Sequence, residues 1–213
     1  MPGKRTYADR CGIARALDVM GERWALLVVR ELLLGPKRFT DLRAGLPHVS
    51  PDVLSQRLRD LDAAGVVARG KLPPPAAAQV YALTDRGAAL EPVVLALGRW
   101  GSVAPFPPAD DATIGPDALV IALKTLFAPG GPTSTDGTYE LRMGEHRFHA
   151  RVDGDRLTVE RGGADDPDAV IGAEPPTLAG ALWHGRPLDA VAIEGDRRRA
   201  TRFLRRFPLP DAA

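Results

Sequence analysis

An amide and a guanidinium three residues apart, Gln56 and Arg59, are the side chains of this 213-residue chain best suited to reading the edge of a base. Arginine offers two parallel N–H donors to O6 and N7 of guanine, and glutamine offers a donor and an acceptor to N7 and N6 of adenine. The chain has no Asn and two Gln, so Gln56 is the sole amide able to read adenine from this segment. Asp52 and Ser55 add two hydrogen-bonding groups just before them. At ~100° per residue Asp52, Ser55, Gln56 and Arg59 share one side of a helix. Leu54, Leu58 and Leu61 recur at i, i+4 and i+7 on the opposite side and must pack on a core. A solvated face of any amphipathic helix shows the same pattern, so the neighbouring elements decide between the two.

The helix is specified at both ends. Ser50 can cap its first free amides, Pro51 sits where a missing N–H costs nothing, and Gly65 is a left-handed stop. Before it, residues 38–48 read as a short helix with Phe39, Leu42 and Leu46 on one side, ended by Pro47. Two short helices joined by a tight turn make a helix-turn-helix. After it, Val66 to Leu72 and Gln79 to Thr84 flank a Pro/Ala tip, Pro73 to Ala78, and read as the two-stranded hairpin of a wing. Around this frame Arg38, Thr40, Arg43, Ser50 and Arg57 are placed to meet phosphates. Arg69 and Lys71, on the first wing strand, are the basic residues left to a wing whose tip has none.

Taken jointly, Cys11 to Asp18, Gly21-Glu22-Arg23-Trp24, Leu26 to Leu32, Arg38-Phe39-Thr40-Asp41-Leu42, Ser50 to Leu61 and Tyr81 to Gly87 resemble an HxlR-type (MarR-related) winged-helix transcriptional regulator over residues ~7–101. The resemblance implies a recognition helix in the major groove of double-stranded DNA. It also implies a homodimer joined through the terminal helices of this domain, reading a pseudo-palindromic operator. The wing departs from the family pattern, whose tips commonly carry basic residues. Several HxlR-type regulators have a cysteine near the position of Cys11 that senses oxidants or electrophiles. Cys11 lies among Arg5, Arg10 and Arg15 at a helix start, which can lower a thiol pKa; a small buried apolar role is the alternative.

With four Lys against twenty-four Arg, arginine abundance alone carries no message, but its distribution does. Residues 1–104 hold 15 basic and 10 acidic residues, a net +5, whereas 105–213 hold 13 and 17, a net −4. The basic half suits a phosphate backbone. One cysteine permits no internal disulfide, and no apolar stretch approaches ~18 residues, so a cytoplasmic location without membrane contact is expected. His146 and His149 fall on opposite faces of a predicted strand, and no metal-ligand spacing, cofactor motif or catalytic motif is present, so neither metal, cofactor nor enzyme activity is expected.

In a helix ending near Trp100, Leu90, Val93, Val94, Leu97 and Trp100 form a stripe, either buried within its own domain or paired with a second subunit. Pro105-Phe106-Pro107-Pro108-Ala109-Asp110-Asp111 then reads as a linker. Beyond it we expect a helix over 116–127, strands over 138–143, 146–152 and 156–160 in an antiparallel meander, and a fourth strand over 169–173. A helix capped by Thr177 and running to Trp183, a strand over 190–193 and a helix over 197–207 capped by Asp196 follow. Ala169 to Gly172, Thr177 to Leu182, Gly185-Arg186 and Ile193 to Asp196 resemble the C-terminal part of sterol-carrier-protein-like domains, an α/β layer fold with an apolar tunnel. That resemblance implies a pocket lined by Leu119, Leu123, Leu126, Phe127, Phe148 and Trp183 for an apolar or aromatic effector; a plain core or a scaffold for dimerisation is the alternative.

The expected architecture is therefore α+β. Residues 1–104 form a winged helix-turn-helix, 105–114 a linker and 115–213 a sterol-carrier-protein-like α/β layer domain. The expected function is a sequence-specific DNA-binding repressor. The alternative is a lipid or small-molecule binding protein whose helix-turn-helix serves protein contacts.

Overall fold

The computed structural model describes residues 6–71, 78–103, 113–130 and 135–210, which fall into two compact units divided between Val94 and Leu95. The first contains α1 (Gly12–Met20), α2 (Ala25–Leu32), α3 (Phe39–Gly45), α4 (Pro51–Ala63), β1 (Val67–Lys71), β2 (Gln79–Leu83), α5 (Asp85–Ala88) and the start of α6 (Glu91–Val103). The sequence places the first boundary at 104, ten residues later than this division. The later part of α6 bonds within the second unit, where Arg99 Nη2 donates to the Thr125 carbonyl at 2.8 Å. Residues 105–112 of the expected linker lie outside the described residues.

Leu54, Leu58 and Leu61 of α4 are buried with Val28, Leu32, Leu42 and Leu46, as the 3.6-residue stripe requires. Each such side chain is worth about 1.5–3 kcal/mol on full burial. β1 and β2 pair antiparallel from Val67↔Leu83 to Lys71↔Gln79, and Lys37 adds a bridge to Tyr81. Lys37 also donates to Glu31 Oε2 at 2.6 Å, and Arg30 donates to Oε1 at 2.8 Å, so the buried Glu31 carboxylate is paired rather than stranded. At the α1–α2 corner Trp24 takes φ 78°, a conformation that costs a bulky residue about 1–3 kcal/mol. The Arg23 guanidinium stands 5.1 Å from its ring centre.

The second unit holds α7 (Pro116–Leu126), β3 (Gly137–Met143), β4 (His146–Asp153), β5 (Arg156–Arg161), β6 (Ala169–Gly172), α8 (Pro175–Trp183), β7 (Ala192–Gly195) and α9 (Arg197–Leu204). Its sheet runs β5-β4-β3-β6-β7. The antiparallel meander is β3-β4-β5, while β6 crosses over to pair parallel with β3. Alternation along the strands buries Tyr139, Leu141, Met143, Phe148, Ala150 and Val152 on one face. Tyr139 stacks on Phe203 of α9 with ring centres 4.1 Å apart.

Three expected boundaries shift. α8 begins at Pro175 with Glu174 at the cap position, because two prolines supply its first turn; Thr177 lies inside the helix. Leu188–Ala190 form a 3₁₀ turn, so β7 starts at Ala192. α9 ends at Leu204, three residues early, with Asp196 capping it as expected by accepting from the Arg199 amide at 2.9 Å.

Candidate nucleic-acid interface

α4 is held at its start, its flank and its end. Ser50 Oγ accepts from the Val53 amide at 3.4 Å and Pro51 opens the first turn. At the far end Gly65 takes φ 67°, and Thr84 Oγ1 donates to its carbonyl at 2.7 Å while accepting from the Gly87 amide at 3.1 Å. Arg86 Nη1 donates to the Ala64 carbonyl at 2.8 Å. Gly87 is required here, since a Cβ would collide with the Val66 carbonyl oxygen. On the flank Arg57 is buried and pairs with Asp60 at 3.2 Å and Glu22 at 3.6 Å. The residue expected at a phosphate therefore ties α4 to the α1–α2 corner, because at position 57 the helix faces inward beside its leucine stripe.

Asp52, Gln56 and Arg59 are exposed and Ser55 is half-buried. Arg59 Nη2 donates to Gln56 Oε1 at 2.7 Å, and Gln56 Nε2 donates to Asp60 Oδ1 at 2.8 Å. This one-turn chain links the amide and the guanidinium on the exposed side of α4. Val53, 40 % exposed, adds an apolar group beside them that suits a thymine methyl.

Arg38, Thr40, Arg43 and Ser50 are all exposed on α3 and the turn into α4. The Thr40 hydroxyl donates to Asp41 at 3.3 Å and the Arg38 amide to the same carboxylate at 3.1 Å. The guanidinium groups of Arg38 and Arg43 make no ion pair among the described residues. Lys71 is exposed on β1; Arg69 is exposed too but pairs with Asp62 at 3.3 Å. Residues 72–77, which hold all of the expected wing tip but Ala78, lie outside the described residues.

This scaffold agrees with a family model described as HxlR-like helix-turn-helix, which matches residues 19–105. An uncharacterized HTH-type transcriptional regulator of Bacillus subtilis, YvaP, is 40% identical over 88 residues, 41% of this chain and 82% of its own. The chain belongs to the HxlR-like helix-turn-helix family. The HTH-type transcriptional regulator YodB of the same organism is 34% identical over 85 residues, 40% of this chain and 76% of its own. The solved reduced form of YodB aligns at 30% identity and TM-score 0.41, covering 47% of this chain and all of that one. As an HxlR-like protein the chain is a DNA-binding helix-turn-helix transcriptional regulator, so the alternative of a helix-turn-helix kept only for protein contacts is set aside.

The remaining candidates of this HxlR-like chain lie elsewhere. Cys11 is exposed at the cap position of α1, which removes the buried apolar alternative. In the second unit Leu119, Leu123, Leu126, Phe127 and Phe148 are buried, and Trp183 is half-buried with Nε1 donating to the Phe207 carbonyl at 2.9 Å. On the other side of that sheet burial would raise the Glu140 carboxyl, but bonds from Arg142 Nε at 2.5 Å and the Ala164 amide at 2.9 Å outweigh it and hold it below the usual range. Burial raises Tyr139, whose hydroxyl donates to the Thr135 carbonyl at 2.7 Å. Among the described residues no cluster of His, Cys, Asp and Glu is arranged to hold a metal, and no helix is long and apolar enough to cross a membrane.

Proposed function

We propose that this chain is a homodimeric repressor that reads a pseudo-palindromic operator in double-stranded DNA with α4. Gln56 and Arg59 are its base readers, assisted by Asp52 and Ser55, with Val53 against a thymine methyl. Arg38, Thr40, Arg43, Ser50 and Lys71 meet phosphates, and Arg69 joins them by exchanging Asp62 for one. The observation that carries this reading is the exposed Arg59–Gln56–Asp60 chain on a helix clamped at both ends. An exposed apolar face supports the dimer: Val93, Leu97 and Trp100, on one side of the helix α6, are 51, 48 and 77 % exposed. Such residues in contiguous rows mark a protein interface. Selection from a random duplex library by the full chain tests the reading. It should return two half-sites about 10–10.5 bp apart, or a multiple of this, bound by two chains. Recovery of no sequence, or of a single half-site bound by one chain, contradicts it.

Two finer roles accompany this one. The second unit is a sterol-carrier-protein-like sensor of an apolar or aromatic effector, a reading supported by its buried Leu119, Leu123, Leu126, Phe127 and Phe148 beside Trp183. Native mass spectrometry of the purified chain should show a co-purified apolar molecule whose addition changes operator affinity; no effect of any apolar ligand removes the sensor. Cys11, the sole and exposed thiol, is a redox site. Diamide should release operator from the wild type and leave Cys11→Ser bound, and equal release from both removes this role.

A further inference from the structure

α9 and the two residues after it carry six of the thirteen basic residues in the acidic half of the chain. Two of them are used inside the fold. Arg199 donates to Asp168 at 2.6 Å, and the buried Arg206 donates to Ala128 and Thr135 at 3.0 and 2.7 Å while lying 4.4 Å from the Phe127 ring centre. Ala200, Phe203 and Leu204 anchor the inner side of the helix. Arg198, Arg202 and Arg205, at i, i+4 and i+7, form a stripe about 60° wide on the outer side. None of the three makes an ion pair among the described residues. Arg202 is half-buried with its Nε covered and unpartnered, so its stem is held in place.

Like charges one helical turn apart repel, and the dipole at the helix C-terminus offsets this only for Arg202 and Arg205. A row of guanidinium groups without ion pairs, its charge offset only by Asp196 near Arg202, is thus an arrangement that an external anion completes. We infer that the outer face of α9 is a second nucleic-acid contact, in which Arg198, Arg202 and Arg205 bind backbone phosphates of the DNA that α4 reads; this rests on the DNA-binding reading above. Seven residues of helix rise about 10.5 Å, a length over which one DNA strand presents about three phosphates when they are counted along the duplex axis at ~3.4 Å each. The planar guanidinium fork binds phosphate with two parallel bonds. The exposed positions of α9 and its caps are Asp196, Arg197, Arg198 and Arg205, flanked by half-buried Arg199, Thr201 and Arg202; they include no apolar side chain, and the one carboxylate, Asp196, is engaged by the Arg199 amide. A helix lying on a lipid surface needs such a side chain, so the partner is nucleic acid.

The test measures operator affinity of the full chain by anisotropy between about 50 and 200 mM salt for wild type, an R198Q/R202Q/R205Q variant and an R198K/R202K/R205K variant. The Gln variant should lower the slope of log K against log salt by about 0.9 for each phosphate no longer neutralised, keep the wild-type base preference and retain the wild-type melt and circular dichroism. The Lys variant should keep most of the slope. An unchanged slope in the Gln variant overturns this contact alone, as does loss of binding to phosphatidylglycerol-containing vesicles with the DNA slope intact. No DNA binding by the wild type at low salt overturns both this contact and the reading of α4.

Discussion

Arg38 and Arg57 are the same side chain in the same module, and their surroundings give them opposite work. Arg38 is exposed beside the α3 start with no ion pair among the described residues, whereas Arg57 is buried between Glu22 and Asp60. We expect Arg38→Ala to weaken binding to all sequences and reduce the salt slope by about one unit. Arg57→Ala should leave the slope unchanged and lower the melting temperature, since it removes a buried side chain beside the leucine stripe together with its ion pair to Asp60. Anisotropy titrations and thermal melts of both variants check this; a slope change in Arg57→Ala returns it to the phosphates. The exposed face with Asp52, Gln56 and Arg59 was legible because helical period alone sets it. The inward turn of Arg57 was not, since position 57 borders the leucine stripe and one of its two partners, Glu22, lies thirty-five residues away in sequence.

At the scale of elements, the clamp on α4 depends on a glycine. Gly87→Ala puts a Cβ into the Val66 carbonyl where β1 leaves the recognition helix, so we expect a loss of about 1–3 kcal/mol, typical of overpacking, and a fall in melting temperature of several degrees. An unchanged melt would show that this turn is looser than the structure has it. In the second unit the depressed Glu140 carboxyl lends stability that is fully present above its unfolded pKa and lost as pH falls through the folded one. Glu140→Gln should therefore flatten the stability profile on the acid side of about pH 4.5 and lower stability near neutrality, read by denaturant melts across pH 3–7. Equal acid-side slopes in both proteins contradict this. The meander of β3, β4 and β5 was readable from alternation and turn glycines. The parallel pairing of β6 with β3 was not, because a crossover leaves no local pattern in a four-residue strand.

For the whole molecule, the α6 stripe that the sequence left open between core and partner is buried at Val94 and half-buried at Leu90, while Val93, Leu97 and Trp100 are exposed. Leu97→Glu with Trp100→Glu should convert a dimer to monomers in sedimentation velocity and weaken operator binding far more than half-site binding; a monomeric wild type, or a dimeric variant, contradicts this. The winged-helix unit was legible in full outline because its signals are short-range caps, stripes and turns. The division inside α6 was not, because it depends on long-range contacts such as Arg99 to Thr125. The central claim, that α4 reads bases through Gln56 and Arg59, is tested most directly by repeating the duplex selection with Gln56→Ala and Arg59→Ala. Each variant should lose ~1–3 kcal/mol on the wild-type operator and lose preference at one base pair in each half-site. Wild-type affinity and an unaltered selected sequence in both variants would contradict it.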